Sequence, residues 1–399
     1  MRTTRRIAVL AEAVGLLMLF GVSLEAACRV EDWVQFRTPF FARERSQQDL
    51  LVRDALGMHG RPGGRFQKWS MNSFGMRGPE VRGEKPRNVV RVVTAGASET
   101  FGLYESPGLE YPRQLEDSLN ARMRELGTSC GTTGAQVLNA AMPGMSLPTV
   151  DQDIRLRVSS LHPDFVVLYA TPSGYLDDLL PTAARPDTTP GAPARLSAAN
   201  AVFPRVADRI RVQLKTVLPT FVQDLVRHRQ IAANLRRHGP NWRFDAVPAE
   251  RVTAFEDDLR KAVGTIKAVG AVPVLMTHAN RFAGSTRRDP SVLQMWEKFY
   301  PRASGNTIVA FDSAARLATM RVARDSQAVI VDLATSLQRS NGAAFADYSH
   351  FTNSGAAMVA GSLSDPIVTA SSRHSRANCG QSANAERPGG AIPKIGSPL

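Results

Sequence analysis

The feature of this chain that most constrains its fold is an alternation of short apolar runs with helical patterns, which begins at residue 89. The apolar runs are rich in β-branched residues and end in turn residues, as expected for strands buried on both faces. The predicted strands are 89–93, a strand beginning at Val137, 165–169, 272–276 and 328–331. The predicted helices are 115–126, 154–161, 252–269, 307–323 and a last helix that begins near Asn353. This alternation predicts an α/β fold of three layers, in which helices cover both faces of a central parallel sheet.

The N-terminal residues predict a membrane-spanning helix. Residues 7–27 are mostly apolar and long enough to cross a bilayer. A signal peptide is the alternative, but cleavage favours small residues at positions −3 and −1, and Glu25 takes position −3 for cleavage before Cys28. We therefore expect an uncleaved anchor. Three arginines precede the segment and one follows it closely, which predicts a single-pass protein of the inner membrane whose main domain is periplasmic.

The composition of the chain divides it into four regions. They are a cytoplasmic N-terminus with the anchor (1–28), a juxtamembrane extension (29–87), the α/β domain (88–369) and a tail (370–399). Serine, alanine, glycine and proline dominate the tail, which has little apolar surface to bury, and we expect it to be disordered.

An insertion at 175–250 interrupts the alternation of strands and helices. Residues 181–199 are rich in proline, alanine and threonine and predict a loop. Apolar residues then recur at helical spacing from Val202 to Leu225, with arginines between them, and Pro219 is expected to kink or split this helix. The insertion is interpreted either as a lid packed on the domain or as a basic amphipathic surface that contacts anionic lipid.

The net charge of +13 comes mostly from arginines that are scattered along the chain. They form no basic block, and no zinc-finger spacing accompanies them, so we expect no nucleic-acid partner. A basic surface facing an acidic membrane or an anionic glycan, and a general bias toward arginine, remain alternative explanations of the charge. The three cysteines lie far apart without metal-binding spacing, and neither a metal nor an organic cofactor is predicted.

Two motifs carry residues that are suited to nucleophilic chemistry. Gly96-Ala97-Ser98 directly follows the first predicted strand, and ligands of parallel sheets bind at the carboxyl ends of the strands. A serine on such a strand-to-helix turn can present its hydroxyl above the sheet, next to the free N–H groups of a helix N-terminus. Asp347 and His350 precede the last helix, and their spacing allows the carboxylate to orient the imidazole. Alone, the first motif is more typical of a helix cap, and the second of a surface turn with a capping Asp.

The order and placement of the two motifs resemble those of the SGNH hydrolases, also called the GDSL esterase/lipase family. The resemblance extends from about Val89 to Ala360. It implies a flavodoxin-like arrangement of the sheet, with Ser98 as nucleophile, His350 as base and Asp347 as its partner. The family's nucleophile block reads Gly-Asp-Ser, so that Ala97 stands here in place of the acid. The motif from Asn72 to Gly78 also resembles a segment that lies upstream of the nucleophile in membrane-anchored bacterial members.

The resemblance also implies an oxyanion hole, of which this sequence matches some of the expected donors but not all. Gly144 matches the glycine of the second family block, whose backbone N–H lines this hole together with that of Ser98. The third block normally supplies an asparagine, which is missing here, and Ser173 lies nearest to its position. His278 and Asn280 follow the fourth predicted strand at the same sheet edge. They are expected to complete the oxyanion site or contact the substrate, or else to belong to a polar loop.

Together these features predict an extracytoplasmic, membrane-anchored serine esterase that acts on acyl esters. The substrates that the resemblance and the anchor suggest include O-acetyl groups on envelope polysaccharides. An O-acyltransferase that uses the same three residues is one alternative. A non-catalytic envelope-binding protein is the other, and the replaced Asp and the missing asparagine are the features that favour it.

Overall fold

The helices and strands follow the predicted alternation in a computed structural model, which describes residues 2–81, 84–86, 88–126, 134–177, 203–217, 219–283, 288–340 and 342–385. In chain order the elements are α1 (Arg2–Phe36), β1 (Leu51–Asp54), β2 (Gly57–Gly60), β3 (Arg65–Phe66), β4 (Trp69–Ser70), β5 (Val89–Gly96), α2 (Ser98–Phe101), α3 (Tyr111–Leu126), β6 (Gly134–Asn139), α4 (Leu147–Leu156), β7 (Phe165–Tyr169), α5 (Pro204–Val217), α6 (Thr220–His238), α7 (Ala249–Ala268), β8 (Val272–Met276), α8 (Pro290–Phe299), α9 (Gly305–Ser326), β9 (Val329–Val331), α10 (Leu333–Gln338) and α11 (Asn353–Ala385). Short 3-10 helices lie at Gln47–Leu50, Val158–Leu161, Pro172–Leu176 and Pro240–Trp242.

Strands β5 to β9 form the central sheet, in the spatial order β6-β5-β7-β8-β9. Every neighbouring pair in this sheet is parallel. Numbered by their order in the chain, the strands stand 2-1-3-4-5, which is the flavodoxin-like order. The predicted fold class is confirmed. The strand order reverses at β5, and this places the switch point of the sheet, where ligands of such folds bind, at the carboxyl end of that strand.

Both faces of the sheet are buried under helices. Successive residues of a strand point to opposite faces, so that Val93 and Ala95 belong to one apolar cluster and Val90 and Val92 to the other. The first cluster includes side chains of α4, α7 and α9, and the second includes side chains of α3, α10 and α11. The sheet is thus the middle of the three predicted layers.

The N-terminal helix α1 is longer than the predicted anchor. The boundary at residue 28 is wrong as an element boundary, since α1 continues to Phe36. Its part from Arg6 to Phe36 includes a stretch that is long and apolar enough to cross a membrane, and its large apolar side chains up to Leu24 are exposed. The end of α1 packs against α5, one of two helices that follow the undescribed residues 178–202.

The segment 29–87, which we predicted as a juxtamembrane extension, is part of the main domain. β1 pairs with β2 and β3 with β4, in two small antiparallel ribbons. Apolar side chains of this segment are buried in the core cluster that also contains Val93; they are Leu50, Met58, Phe66, Trp69, Met71, Met76 and Val81. The prediction of a separate extension is wrong, because these residues are spaced irregularly and carry no periodic signal of burial.

Three further expectations about helices are settled by the structure. The helix of the insertion is split near Pro219 into α5 and α6, as predicted. The helix predicted at 154–161 is instead the end of α4 followed by a 3-10 turn. The disordered tail predicted from residue 370 is wrong up to Ala385, because α11 continues to that residue. The stretch 371–385 contains no proline and a single glycine, so nothing in it breaks a helix. The predicted loop 181–199 and residues 386–399 lie outside the described residues.

Candidate active site

Ser98 lies where the chain leaves β5 and begins the short helix α2. Gly96, the last residue of β5, is required by the close approach of β7, because a Cβ there would lie 2.6 Å from the carbonyl oxygen of Tyr169. Gly102 ends α2 with a φ of 86°, a left-handed conformation that favours glycine. The two glycines thus frame a tight strand-to-helix turn, on which Ser98 is half-buried at the switch point of the sheet.

Asp347 and His350 lie in the loop before α11, and the structure brings them to Ser98. The Nε2 atom of His350 is 2.8 Å from Ser98 Oγ, and its Nδ1 atom is 2.8 Å from Asp347 Oδ2. The backbone N–H groups of Ser349 and His350 donate to Asp347 Oδ1. Asp347 therefore fixes the loop as well as the ring, and the Nδ1 proton that it accepts leaves Nε2 free to take the proton of Ser98.

The surroundings of His350 favour its charged form. Burial alone would lower its pKa, but the hydrogen bond to Asp347 and the negative charges of Glu99 and Asp347 raise the pKa above its ordinary value. The ring of Tyr104 meets the His350 ring edge-on at 5.3 Å, and that of Tyr348 does so at 5.9 Å. A proton taken from Ser98 would thus be held on an imidazole that is both oriented and electrostatically stabilised.

Glu99 is a buried carboxylate next to the candidate nucleophile, and the sequence reasoning missed it. Its Oε2 atom lies 3.3 Å from Ser98 Oγ and 3.1 Å from Thr171 Oγ1, and its Oε1 atom accepts a hydrogen bond from Ser349 Oγ at 3.0 Å. Burial opposes its ionisation, but the positive charges of His350 and of His278, whose Nε2 atom lies 3.7 Å from Glu99 Oε1, outweigh burial and hold the pKa of Glu99 well below its usual range.

His278 and Asn280 are buried beneath the site rather than exposed at it. His278 Nδ1 lies 2.5 Å from Asp312 Oδ1, and Asn280 Nδ2 donates to Asp312 Oδ2 at 2.6 Å. Nε2 of His278 faces Glu99 Oε1 at 3.7 Å. This arrangement fits the polar-loop alternative for His278 and Asn280, because the carboxylate of Asp312 in α9 holds both side chains in the interior.

Gly144 and Ser173 are the two candidate oxyanion donors besides Ser98. Gly144 lies in the turn after β6 with a φ of 83°, and a Cβ there would have open space, so the conformation and not crowding favours glycine. Ser173 lies in the 3-10 helix after β7; it is 2% exposed, and its hydroxyl has no hydrogen-bond partner among the described residues. Such an orphaned hydroxyl is unusual, since most buried polar side-chain atoms have a hydrogen-bond partner. No group of three or more His, Cys, Asp or Glu side chains in the described ranges is arranged to hold a metal ion.

Comparisons with solved structures give similar folds at low identity. An alpha/beta hydrolase enzyme from the metagenome of Lake Arreo is 14% identical with a TM-score of 0.40, and the alignment covers 69% of this chain and 94% of that one. The lipase/acylhydrolase from Enterococcus faecalis is 13% identical with a TM-score of 0.39, covering 70% and 95%. A catalytic mutant of an acetylxylan esterase from Geobacillus stearothermophilus is 14% identical with a TM-score of 0.39, covering 70% and 94%. No protein-family model and no curated protein matches the chain.

Proposed function

We propose that the protein is a membrane-anchored serine esterase that hydrolyses short acyl esters on the outer side of the cytoplasmic membrane. The observation that carries the proposal is the unbroken hydrogen-bonded chain from Ser98 through His350 to Asp347, with 2.8 Å at both links. An alcohol is a weak nucleophile at neutral pH, and an adjacent imidazole oriented by a carboxylate is the arrangement that activates it.

The reaction would proceed through an acyl-enzyme. His350 Nε2 takes the proton of Ser98 as Oγ attacks the ester carbonyl, and Asp347 stabilises the imidazolium that results. The imidazolium then gives this proton to the departing alcohol. A water molecule next loses a proton to His350 and attacks the acyl group, and the proton returns to Ser98 when the acid leaves.

The negative oxygen of each tetrahedral intermediate needs hydrogen-bond donors that are already in place. We assign this task to the backbone N–H groups of Ser98 and Gly144 and to the hydroxyl of Ser173. The buried, unpartnered hydroxyl of Ser173 supports the assignment, because a donor without a protein partner is available to the substrate oxygen. Ser173 would thus replace the asparagine that the resemblance leads one to expect.

We also propose that α1 stays on the mature protein as its membrane anchor. Glu25, near the end of the apolar stretch, accepts hydrogen bonds from the backbone N–H groups of Arg205 and Val206 at the start of α5. A signal peptide that is cleaved near residue 27 would take this carboxylate away and leave those donors unpaired. An anchored site lies close to the cell envelope, which favours acyl groups on envelope polysaccharides, including O-acetyl groups, as substrates.

The test compares hydrolysis of 4-nitrophenyl acetate by the full-length protein in detergent with that by Ser98→Ala. We expect the substitution to lower kcat by on the order of 10⁴-fold or more, since it removes the nucleophile. Ser159→Ala, which changes a half-buried serine on a 3-10 turn whose hydroxyl donates to the Arg155 carbonyl oxygen, is the matched control and should leave the rate unchanged.

Equal rates in the wild type and in Ser98→Ala would overturn the proposal. If the wild type acylates a sugar acceptor but does not release free acid, the protein is an O-acyltransferase that uses the same residues. A well-folded wild type with neither activity would favour the non-catalytic envelope-binding alternative.

A further inference from the structure

A second chain of charged side chains converges on Ser98 from beneath the sheet edge. It starts at Asp312 in α9, passes through His278 after β8, and ends at Glu99, the residue that follows Ser98. None of its members takes part in the Ser98–His350–Asp347 chain, although Glu99 Oε2 lies 3.3 Å from the Ser98 hydroxyl. The two chains therefore meet at the candidate nucleophile.

The charges of this second chain are almost completely removed from water. The side chains of Glu99 and His278 are each 2% exposed and that of Asp312 is 4% exposed. A buried carboxylate without a partner is strongly unfavourable, and two carboxylates on either side of one imidazole are compatible only when the imidazole is protonated. With His278 protonated, the three side chains together keep one net negative charge. The carboxylate of Glu99 is the one of the two that lies next to Ser98.

Glu99 also connects the loops that form the candidate site. Its two oxygens accept hydrogen bonds from Thr171, which follows β7, and from Ser349, which lies between Asp347 and His350. Through His278 it is linked to the end of β8. One carboxylate thus ties together the ends of three neighbouring strands and the loop that carries the base.

We propose that Glu99 is a positioning residue of the esterase site, which holds Ser98 and His350 in register and keeps a negative charge beside them, and that Asp312 and His278 hold Glu99 in its ionised form. The proposal rests on the proposed esterase function. It extends that function by assigning a role to three buried residues outside the Ser98–His350–Asp347 chain.

The geometry gives the mechanism of this effect. The Ser98 hydroxyl has one proton and two acceptors in reach, His350 Nε2 at 2.8 Å and Glu99 Oε2 at 3.3 Å. When His350 is neutral, the shorter contact directs the proton toward the base. When His350 is charged, its Nε2–H faces Ser98 Oγ, and the Ser98 proton then has Glu99 as acceptor. Glu99 therefore stabilises the imidazolium by its negative charge, and before ester attack it also accepts the hydrogen bond that the Ser98 hydroxyl can no longer donate to a protonated His350.

Other titratable groups face this cluster from the elements that pack on it. His350 is faced by Asp347, Glu105, Tyr104 and Tyr348 in addition to Glu99. Glu99 and His278 are faced by Asp312, Tyr111, Tyr169, Tyr300 and Tyr348. Asp347 and Glu105 both raise the pKa of His350 as Glu99 does, so that both have to stay unchanged in the variants.

The experiment measures the pH dependence of kcat/KM for 4-nitrophenyl acetate hydrolysis by the full-length protein and by Glu99→Gln. The base works when His350 is neutral, so activity falls below the pKa of His350. Glu99 favours the charged imidazole and raises that pKa, so the neutral amide should move the acid limb to lower pH, on the order of one unit. His278→Gln should move the limb in the same direction without touching Ser98 or His350, because Glu99 then takes up a proton. The double variant should show no further shift.

A second readout does not depend on activity. Protein labelled with ¹³C at the histidine Cε1 positions is titrated by NMR, and the His350 resonance is assigned from its loss in His350→Gln. We expect the pKa of His350 to be lower in Glu99→Gln than in the wild type. If the wild type hydrolyses no ester but this shift appears, the esterase proposal fails and the role of Glu99 stands.

Asp153→Asn is the matched control. Asp153 is a buried carboxylate in α4 that is paired with Arg157, the residue that follows this helix, and it is not among the charges that act on His350. This variant should lose stability as Glu99→Gln does, while its His350 titration stays at the wild-type position. An unchanged His350 titration in Glu99→Gln would overturn the proposal and leave Glu99 with a structural role alone.

Discussion

The hydroxyl of Ser173 allows a direct test of whether a single buried residue serves the reaction or only the fold. It is buried in the 3-10 helix that follows β7, without a partner among the described residues. Loss of one oxyanion donor typically lowers kcat by about 10²- to 10³-fold. We therefore expect Ser173→Ala to lower kcat in this range with little change in KM. The free energy of unfolding should stay equal or rise slightly, because the variant no longer buries an unsatisfied hydroxyl.

The control for this prediction is Ser364→Ala. Ser364 is also buried, but its hydroxyl donates to Ser118 Oγ at 2.6 Å, between α11 and α3. This variant should lose stability and keep the wild-type kcat. A Ser173→Ala protein that behaves in the same way would remove Ser173 from the oxyanion hole.

Single residues also mark the limit of what the sequence could predict about the site. Ser98, Asp347 and His350 lie in short motifs whose spacing already suggests a shared task, and the structure brings them within hydrogen-bond distance. Glu99 and Asp312 carry no such signal. A glutamate at a helix N-terminus is usually a solvated side chain, and Asp312 meets His278 across 34 positions of the chain. Their roles depend on burial, which no local pattern of residues records.

At the scale of elements, the motif from Asn72 to Gly78 has an evident structural task. Arg77 donates to the carbonyl oxygens of Phe101 and Gly102 at the end of α2, and it pairs with the buried Glu110. The last carbonyls of a helix have no partner within the helix, and α2 is a single turn. Arg77 thus fixes the far end of the short helix whose first residue is Ser98.

We expect Arg77→Met to destabilise the protein by about 3–5 kcal/mol, since it leaves Glu110 buried without its cation. Esterase kcat should fall more than KM rises, because α2 carries the nucleophile and the substitution does not reach the substrate. Urea unfolding and steady-state kinetics measure the two effects. Arg113→Met is the control: this arginine pairs with Glu116 at the half-exposed surface and should cost less than about 1 kcal/mol. Equal losses in both variants would contradict the assigned role of Arg77.

Elements whose side chains repeat with one period were predictable, and those that depend on distant partners were not. The strands and helices of the sheet domain are regular over several residues, and their order along the chain restricts the topology to a parallel sheet. The ribbons of 51–70 contain strands of two to four residues, too short to show alternation. Their burial comes from the sheet domain that they cover, which lies later in the chain.

At the scale of the whole molecule, the end of α1 joins the candidate membrane-spanning stretch to the insertion. The side chains of Asp32 and Arg205 are 3% and 2% exposed and lie 3.2 Å apart, and Arg209 binds the second oxygen of Asp32 at 3.0 Å. These partners are more than 170 positions apart in the chain, and for this reason the sequence left open whether the insertion packs on the protein or on lipid. α5 packs on α1, whereas apolar side chains of α5 and α6, among them Ile210, Phe221 and Leu225, stay exposed.

This contact leads to a prediction about two truncated proteins. A variant without residues 2–20 keeps Glu25 and Asp32 and should hold α5 as the full-length protein does, while no longer requiring detergent for solubility. A variant without residues 2–36 leaves Arg205 buried without its carboxylate, a loss of about 3–5 kcal/mol of local stability. Trypsin should then cut at Arg205 and Arg209 on the order of 10²-fold faster, because cleavage follows the population of the open form.

Cleavage at Arg260 in α7 serves as the internal reference and should stay at the full-length rate. Equal protection of α5 in the two truncated proteins would show that α1 contributes nothing to the domain, and a cleaved signal peptide would then explain residues 7–27 as well as an anchor does.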